Sequence, residues 1–389
     1  MFDFNTNKSN KNCIFVFYRL ALIYNLLMQI SRSDLSKKIV KKTSTKIIII
    51  VVSFVLILLF GFIALCVGSS SMNFADSLKA IFMNGTNSQI RIIYNIRLPR
   101  IIAAIVAGAG LSISGLIMQT TLNNPMASPS TLGVSNAAVF GANLSIIGFA
   151  GGFLTTGNNI NSYTVGANPF ATSSIAFIFS IVSILAIIGL AQIRNFNVST
   201  IVIAGIAIGS IWTAGTTILQ FYATDVGLSA AVIWNFGDLG RATYLNDGVM
   251  AGIIVPIALL FFFLAPRYNA LLSGKDVASS VGINVKPLQT LSLLLASLIT
   301  AVCVSYLGII GFIGIICPHI MRRILGNDHK FLIPSSILAG SLLLLLADTF
   351  SRTVGNGSAL PVGAITTLLG APFFLALIFL RKERQNVRG

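Results

Sequence analysis

The chain is 389 residues long, with 55% of residues hydrophobic and only 9% charged, where ordinary soluble domains carry roughly a quarter. So small a stock of charge cannot cover a water-exposed surface, which excludes a set of soluble domains of this length. The net charge of +16 would suit nucleic acid if the basic residues gathered on one solvated face; they sit instead in short connectors between apolar runs, so no nucleic-acid partner is expected and the charge reads as membrane topology.

Residues 1–45 form an N-terminal extension, expected to be cytoplasmic or interfacial. A basic, Asn-rich start leads into CIFVFYRLALIYNLLMQI, interrupted by Arg19, Asn25 and Gln29 and followed by no small-residue cleavage site. It fits neither a signal peptide nor a span. It reads as an interfacial amphipathic helix or as upstream sequence outside the functional protein, with Met28 as an alternative start.

A span needs about 20 apolar residues, and stretches near 46–67, 98–120, 131–150, 171–191, 199–222, 246–265, 288–306, 308–324, 332–350 and 361–380 qualify or nearly do. The seventh and eighth are almost continuous, divided only at Gly308 and Gly311. The predicted fold is an all-α, polytopic integral membrane protein of about 10 transmembrane helices, with a transmembrane domain over 46–382 and a cytoplasmic tail at 383–389.

Lysine and arginine in the connectors set the orientation. With the N-terminus inside, only Lys79, Arg91, Arg97, Arg100, Arg241 and Arg352 of the 26 basic residues fall outside. Both termini are therefore expected in the cytoplasm of a multi-pass protein of the bacterial cytoplasmic (inner/cell) membrane, and the Lys/Ile/Asn-rich composition points to an AT-rich bacterial genome. Outside, GGFLTTGNNINSYTVGANP has no periodicity and WNFGDLGRATYL suits a short half-buried helix. Inside, RYNALLSGKDVASSVGINVKP places Leu271, Leu272, Val277, Val281 and Ile283 around Gly274, which predicts two short amphipathic helices at the membrane surface.

None of the ten acidic residues lies at the centre of a predicted span, where ion-driven carriers commonly bind their coupling ion. Asp, Glu, His and Cys are too sparse within the spans for a catalytic cluster, so the chain is not expected to be an enzyme. Cys13, Cys66, Cys303 and Cys317 lack paired spacing, and no metal site is expected of Cys317 and His319. Small and polar residues inside spans carry two readings. Gly110 with Ser114, and Gly205 with Gly209, suit close helix packing; Ser114, Gln119 and the stripe Thr213, Thr216, Thr217 and Gln220 would also suit a polar translocation path. Arg97 and Arg100 flank Leu98 and Pro99, the proline fitting a first helical turn. These arginines read equally as snorkelling anchors or as bidentate binders of a partner's carboxylates.

NIRLPRIIAAIVAGAGLSISGLIMQTTLNNPMASPSTLGVSNAA, VIWNFGDLG, SGKDVASSVGINV, GIIGFIGIICPHIMRRILGNDHKFLIPSS, ADTFSR and LPVGAITTLLGAPFFLALIFLRK, in this order from 95 to 382, resemble the permeases of iron-siderophore, haem and cobalamin ABC importers. The resemblance implies a cobalamin-importer-permease-like fold. It also implies a second permease subunit (homodimer or paired heterodimer), two cytoplasmic ATPase subunits that bind ATP and Mg, and an extracytoplasmic binding protein. Ferric siderophore is the cargo it favours, with haem and cobalamin behind it. Arg97, Arg100 and Arg352 match positions that meet glutamates of the binding protein. Residues 268–286 match the helices that couple to the ATPase, through Gly274, Asp276, Ala278 and Gly282. No cofactor is expected in this chain, which has no Gly-rich phosphate loop ending in Lys-Ser/Thr.

Three departures from the family pattern stand out. Asn123 replaces a common arginine in NNPMA, Ala359 replaces a common glutamate before Leu360 and Pro361, and Asp276 replaces a frequent glutamate after an added Lys275. A stand-alone ion-coupled carrier remains the competing expectation, and it predicts transport by this chain alone.

Overall fold

The computed structural model describes residues 43–68, 72–149, 169–193, 198–354 and 360–373. The predicted extension lies outside these residues except at 43–45, and the predicted tail lies wholly outside them. The chain divides into two units, 1–51 and 52–389, and the described part of the first is the opening of one helix.

The helices in chain order are α1 (Thr43–Cys66), α2 (Phe74–Ile81), α3 (Asn87–Thr121) and α4 (Val134–Phe149), then α5 (Pro169–Ile193) and α6 (Val198–Phe221). They continue with α7 (Asp225–Asn235), α8 (Tyr244–Phe263), α9 (Ala265–Leu272) and α10 (Lys275–Ser280). The last are α11 (Val285–Leu307), α12 (Ile313–Leu325), α13 (His329–Val354) and α14 (Val362–Phe373). Seven of these, α1, α3, α5, α6, α8, α11 and α13, are long and apolar enough to cross a membrane, and α4 and α14 are shorter apolar helices. The protein is thus an all-α polytopic membrane protein.

α3 is the central post. It packs against α8, α11, α12 and α13, because its sequence between Ala103 and Gly115 is mostly Ala, Gly and Ser, which lets neighbouring backbones approach. A Cβ added to Gly108 would lie 2.4 Å from the Gly340 carbonyl oxygen, and one added to Gly115 would lie 1.9 Å from that of Gly314. Serine hydroxyls then donate across the contact, Ser112 to Ser336 O at 2.6 Å and Ser341 to Ile105 O at 2.7 Å. Such pairs satisfy buried hydroxyls where neither lipid nor core offers a partner. The close crossings fall at Gly108 and Gly115, whereas Gly110 faces the side chains of Ile254 and Ile299.

Two features depart from the predicted spans. α3 begins at Asn87 behind a Thr86/Gln89 capping box, not near 98, so Pro99 lies within a continuous helix instead of opening one. A π-helical turn over Ile92–Arg97, closed by Leu98 N–H to Ile93 O, immediately precedes the proline; the wider turn makes room for a ring that would otherwise press on the preceding turn. The second departure concerns the predicted span 308–324. α11 ends at Leu307 and α12 restarts only at Ile313, with Gly314 packed on Gly115 and the Leu111 carbonyl, in the last third of α3. α12 is therefore a half-helix of 13 residues, about 20 Å long, reached through the non-helical segment 308–312. Such backbone is tolerated at that depth because protein surrounds it; Ile310 is buried.

α3 and α13 run antiparallel. Arg100 meets Asp348 at one end and Thr120 meets His329 at the other. These ends are called the arginine end and the connector end below.

Candidate functional site

At the arginine end, α3 and α13 bring two arginines to one carboxylate. Asp348 lies two turns before the end of α13 and has no exposure. Its Oδ1 accepts from Arg100 Nε at 2.6 Å and its Oδ2 pairs with Arg352 Nε at 3.0 Å, one turn along the same helix. Arg352 Nη1 also donates to Ala64 O and Val67 O, each at 3.2 Å, and Arg97 Nη1 donates to Leu65 O at 2.6 Å and Ser77 Oγ at 3.3 Å. The arginines thereby fill the carbonyls left open at the C-terminal end of α1, which the helix ladder cannot satisfy and where cations are favoured. Residues 97, 100 and 352 were expected to stand outward as anchors or docking groups. In this structure they are 3%, 8% and 5% exposed, and most of their contacts bind α1, α3 and α13 to one another.

The cluster carries more positive than negative charge. Asp348 faces two guanidinium groups at hydrogen-bond distance, and the next carboxylate, Asp238, stands 3.7 Å from Arg100 Nη2. The Nη2 atoms of Arg100 and Arg352 are buried and lack a hydrogen-bond partner. Two donors beside a surplus of cationic charge are what an additional carboxylate would satisfy.

At the connector end the chain turns through α9 and α10, the two short helices expected there. Gly274, between them, has φ 117° and ψ 154°, a conformation that residues with a Cβ rarely adopt. Ala278 is fully buried, and Val285 and Leu288 belong to the same core cluster. α10 then closes through Gly282 at φ 83°, whose N–H reaches Ser279 O while Ile283 N–H reaches Ala278 O. This is the two-bond αL helix ending that favours glycine. The motif residues Gly274, Ala278 and Gly282 therefore shape one turn, and Asp276, in the first turn of α10, is exposed at the favourable end of its helix dipole. Val277 and Val281 are left 49% and 64% exposed.

Behind this turn the bundle is tied by polar side chains. His329 holds Thr120 Oγ1 through Nε2 and Asn269 Oδ1 through Nδ1, both at 2.8 Å. Tyr268 shares a hydrogen bond with Ser292 at 2.8 Å, and burial pushes its phenol pKa up. α3 ends with Asn123 at φ 46°, its N–H to Thr120 O and that of Asn124 to Gln119 O. Asn tolerates this left-handed position better than the arginine common in the family pattern.

The residues expected to line a path divide into two groups. Ser114 and Gln119 are buried: Ser114 bonds Leu111 O and Thr300 Oγ1, and Gln119 donates to Gly314 O while accepting from Arg322. Their polar atoms serve contacts between helices. Thr213 and Thr217 instead border a groove of about 500 Å³ along α6, together with Ser130, Thr131, Asn136 and Ser210. Asn136 Nδ2 donates to Gly209 O and Thr213 Oγ1 at 3.2 Å each. Thr216 is buried, and Gln220 donates to Asn143 Oδ1 at 3.0 Å.

Sequence reasoning missed Asp348, Asp238 and Asn136. Asp348 was legible as the i,i+4 partner of Arg352 in ADTFSR. Asn136 carried no local signal, because its partners come from another helix; Asp238 caps the turn at Gly240, but its nearness to Arg100 of α3 left no trace in the local sequence.

The chain matches the FecCD transport family over residues 56–380. It is 41% identical over 352 residues to an ABC transporter permease protein, MJ0087, of Methanocaldococcus jannaschii, covering 90% of this chain and 99% of that one. It is 34% identical over 340 residues to the hemin transport system permease HmuU of Yersinia pestis, covering 87% and 97%, and 32% identical over 338 residues to the iron(3+)-hydroxamate import permease FhuG of Bacillus subtilis, covering 87% and 98%. Its fold resembles that of a solved metal-chelate type ABC transporter in an inward-facing conformation, with a TM-score of 0.71 and 24% identity over 86% of this chain and 99% of that one. On this match the chain belongs to the FecCD transport family, the permeases of ABC importers.

Proposed function

We propose that the chain imports ferric siderophores, as one of two permease subunits served by two ATPases and an extracytoplasmic binding protein. The observation that carries the cargo reading is its likeness to the iron-hydroxamate permease along nearly the whole of both chains. Haem is the second reading, favoured by the likeness to the hemin permease. The connector end faces the cytoplasm in this proposal, with both termini, because the connectors at that end hold most of the basic residues. Val277 and Val281 then present an apolar knob to an ATPase, and the Ser/Thr/Asn groove along α6 lines the path facing the second subunit. Its weakly polar lining suits cargo already selected by a binding protein.

At the arginine end, the unpartnered Nη2 atoms of Arg100 and Arg352 support docking on a carboxylate of the binding protein. Because these atoms are buried, docking is coupled to movement at that end: a carboxylate reaches them only as their cover yields. The cargo test is uptake by cells with and without this chain. Accumulation of radioiron supplied as hydroxamate, catecholate or citrate chelates should depend on the chain. Dependence of haem or cobalamin uptake alone would replace the siderophore reading.

A further inference from the structure

Arg100 is covered by the turn that follows α7. A Cβ built on Gly240 would sit 3.0 Å from Arg100 Nη1, and Asp238 Oδ1 lies 3.7 Å from Arg100 Nη2. The backbone of the turn is pinned: Asp238 N–H donates to Leu307 O at 2.8 Å, Leu239 is fully buried, and Arg241 Nη2 donates to Ile233 O at 2.7 Å. The Asp238 side chain is not pinned in the same way. It is 44% exposed, and its Oδ1 also accepts from Gly240 N–H at 2.7 Å, which holds the carboxylate just beyond hydrogen-bond distance of Arg100.

From this geometry we infer that Asp238 is a resident carboxylate that occupies the Arg100 site until a partner's carboxylate displaces it. Arg100 already gives its Nε to Asp348, so Nη2 is the donor still to be filled. Asp238 supplies charge there without completing a hydrogen bond. A weak internal ion pair of this kind lowers the cost of a buried cation while the site is empty and yields to a carboxylate able to approach to about 2.8 Å. It also repels the incoming carboxylate until it swings toward solvent, so a docked partner is held less tightly and leaves sooner. Release after each delivery is what an importer needs from its binding protein.

The inference rests on the proposed docking at Arg100, and the test separates the two. The permease–ATPase complex in lipid nanodiscs is titrated with the purified, substrate-free binding protein of the system. Asp238→Asn removes the charge but keeps an oxygen to accept from Gly240, so the turn is preserved and thermal stability should fall only slightly, by the loss of one weak, half-exposed ion pair. It should tighten binding roughly three- to tenfold, through slower dissociation. Combined with Arg100→Gln, Asp238→Asn should have no effect, because nothing remains to compete for. If Arg100→Gln weakens binding but Asp238→Asn does not tighten it, the placeholder is wrong and docking stands. If Arg100→Gln itself leaves binding unchanged, both are wrong.

Discussion

Asp348→Ala is expected to produce a permease that accumulates poorly and unfolds at much lower temperature. Among the described residues, Asp348 is the only acid at hydrogen-bond distance from either of two buried guanidinium groups. Removing one partner of a buried ion pair leaves a charge without compensation, which costs about 3–5 kcal/mol; here two charges lose that partner together. The effect spreads because Arg352 also holds the carbonyls at the end of α1 and Arg100 lies under the Asp238 turn. Asp348→Asn should be milder, since an amide oxygen still accepts from Arg100 Nε. Thermal unfolding in detergent checks the order wild type, Asn, Ala. An alanine variant as stable as wild type would mean that the arginines find other partners.

The second large effect is functional and leaves the fold in place. Val277→Asp combined with Val281→Asp is expected to cut uptake by about tenfold or more, since charged groups are excluded from the apolar core of a contact. Both side chains point away from the bundle, so stability should move by only about 0.5 kcal/mol. Co-purification of the ATPase subunits distinguishes lost docking from a folding defect. Wild-type uptake by this double variant would remove α10 from the ATPase contact.

Much of the bundle was readable from the chain alone, and the reasons are local. A run of about 20 apolar residues has few fates other than a span, and the Gly274–Gly282 motif is local enough that its two helices and their turn follow from glycine positions. What escaped depends on long-range partners. The outward-facing reading of Arg97, Arg100 and Arg352 weighed snorkelling against docking. The group that draws Arg100 and Arg352 inward, Asp348, lies 248 residues from Arg100 and at the edge of an apolar run. Likewise the residues of 308–324 are apolar enough for a span, yet Gly314 must nest on Gly115, and that contact starts α12 beside the last third of α3. Ser114 and Gln119 were read partly as path lining from type alone; their neighbours Thr300 and Gly314 turn them into helix-to-helix bonds.

This chain is expected to move substrate only as the membrane part of an ATP-driven importer. The most direct measurement compares proteoliposomes holding the chain alone with proteoliposomes that also hold its two ATPase subunits, with binding protein and radioiron-labelled ferric hydroxamate on the outside-equivalent face. Accumulation is expected only with the full assembly and ATP, and none with the chain alone under a proton or sodium gradient. Gradient-driven uptake by the chain alone would contradict this.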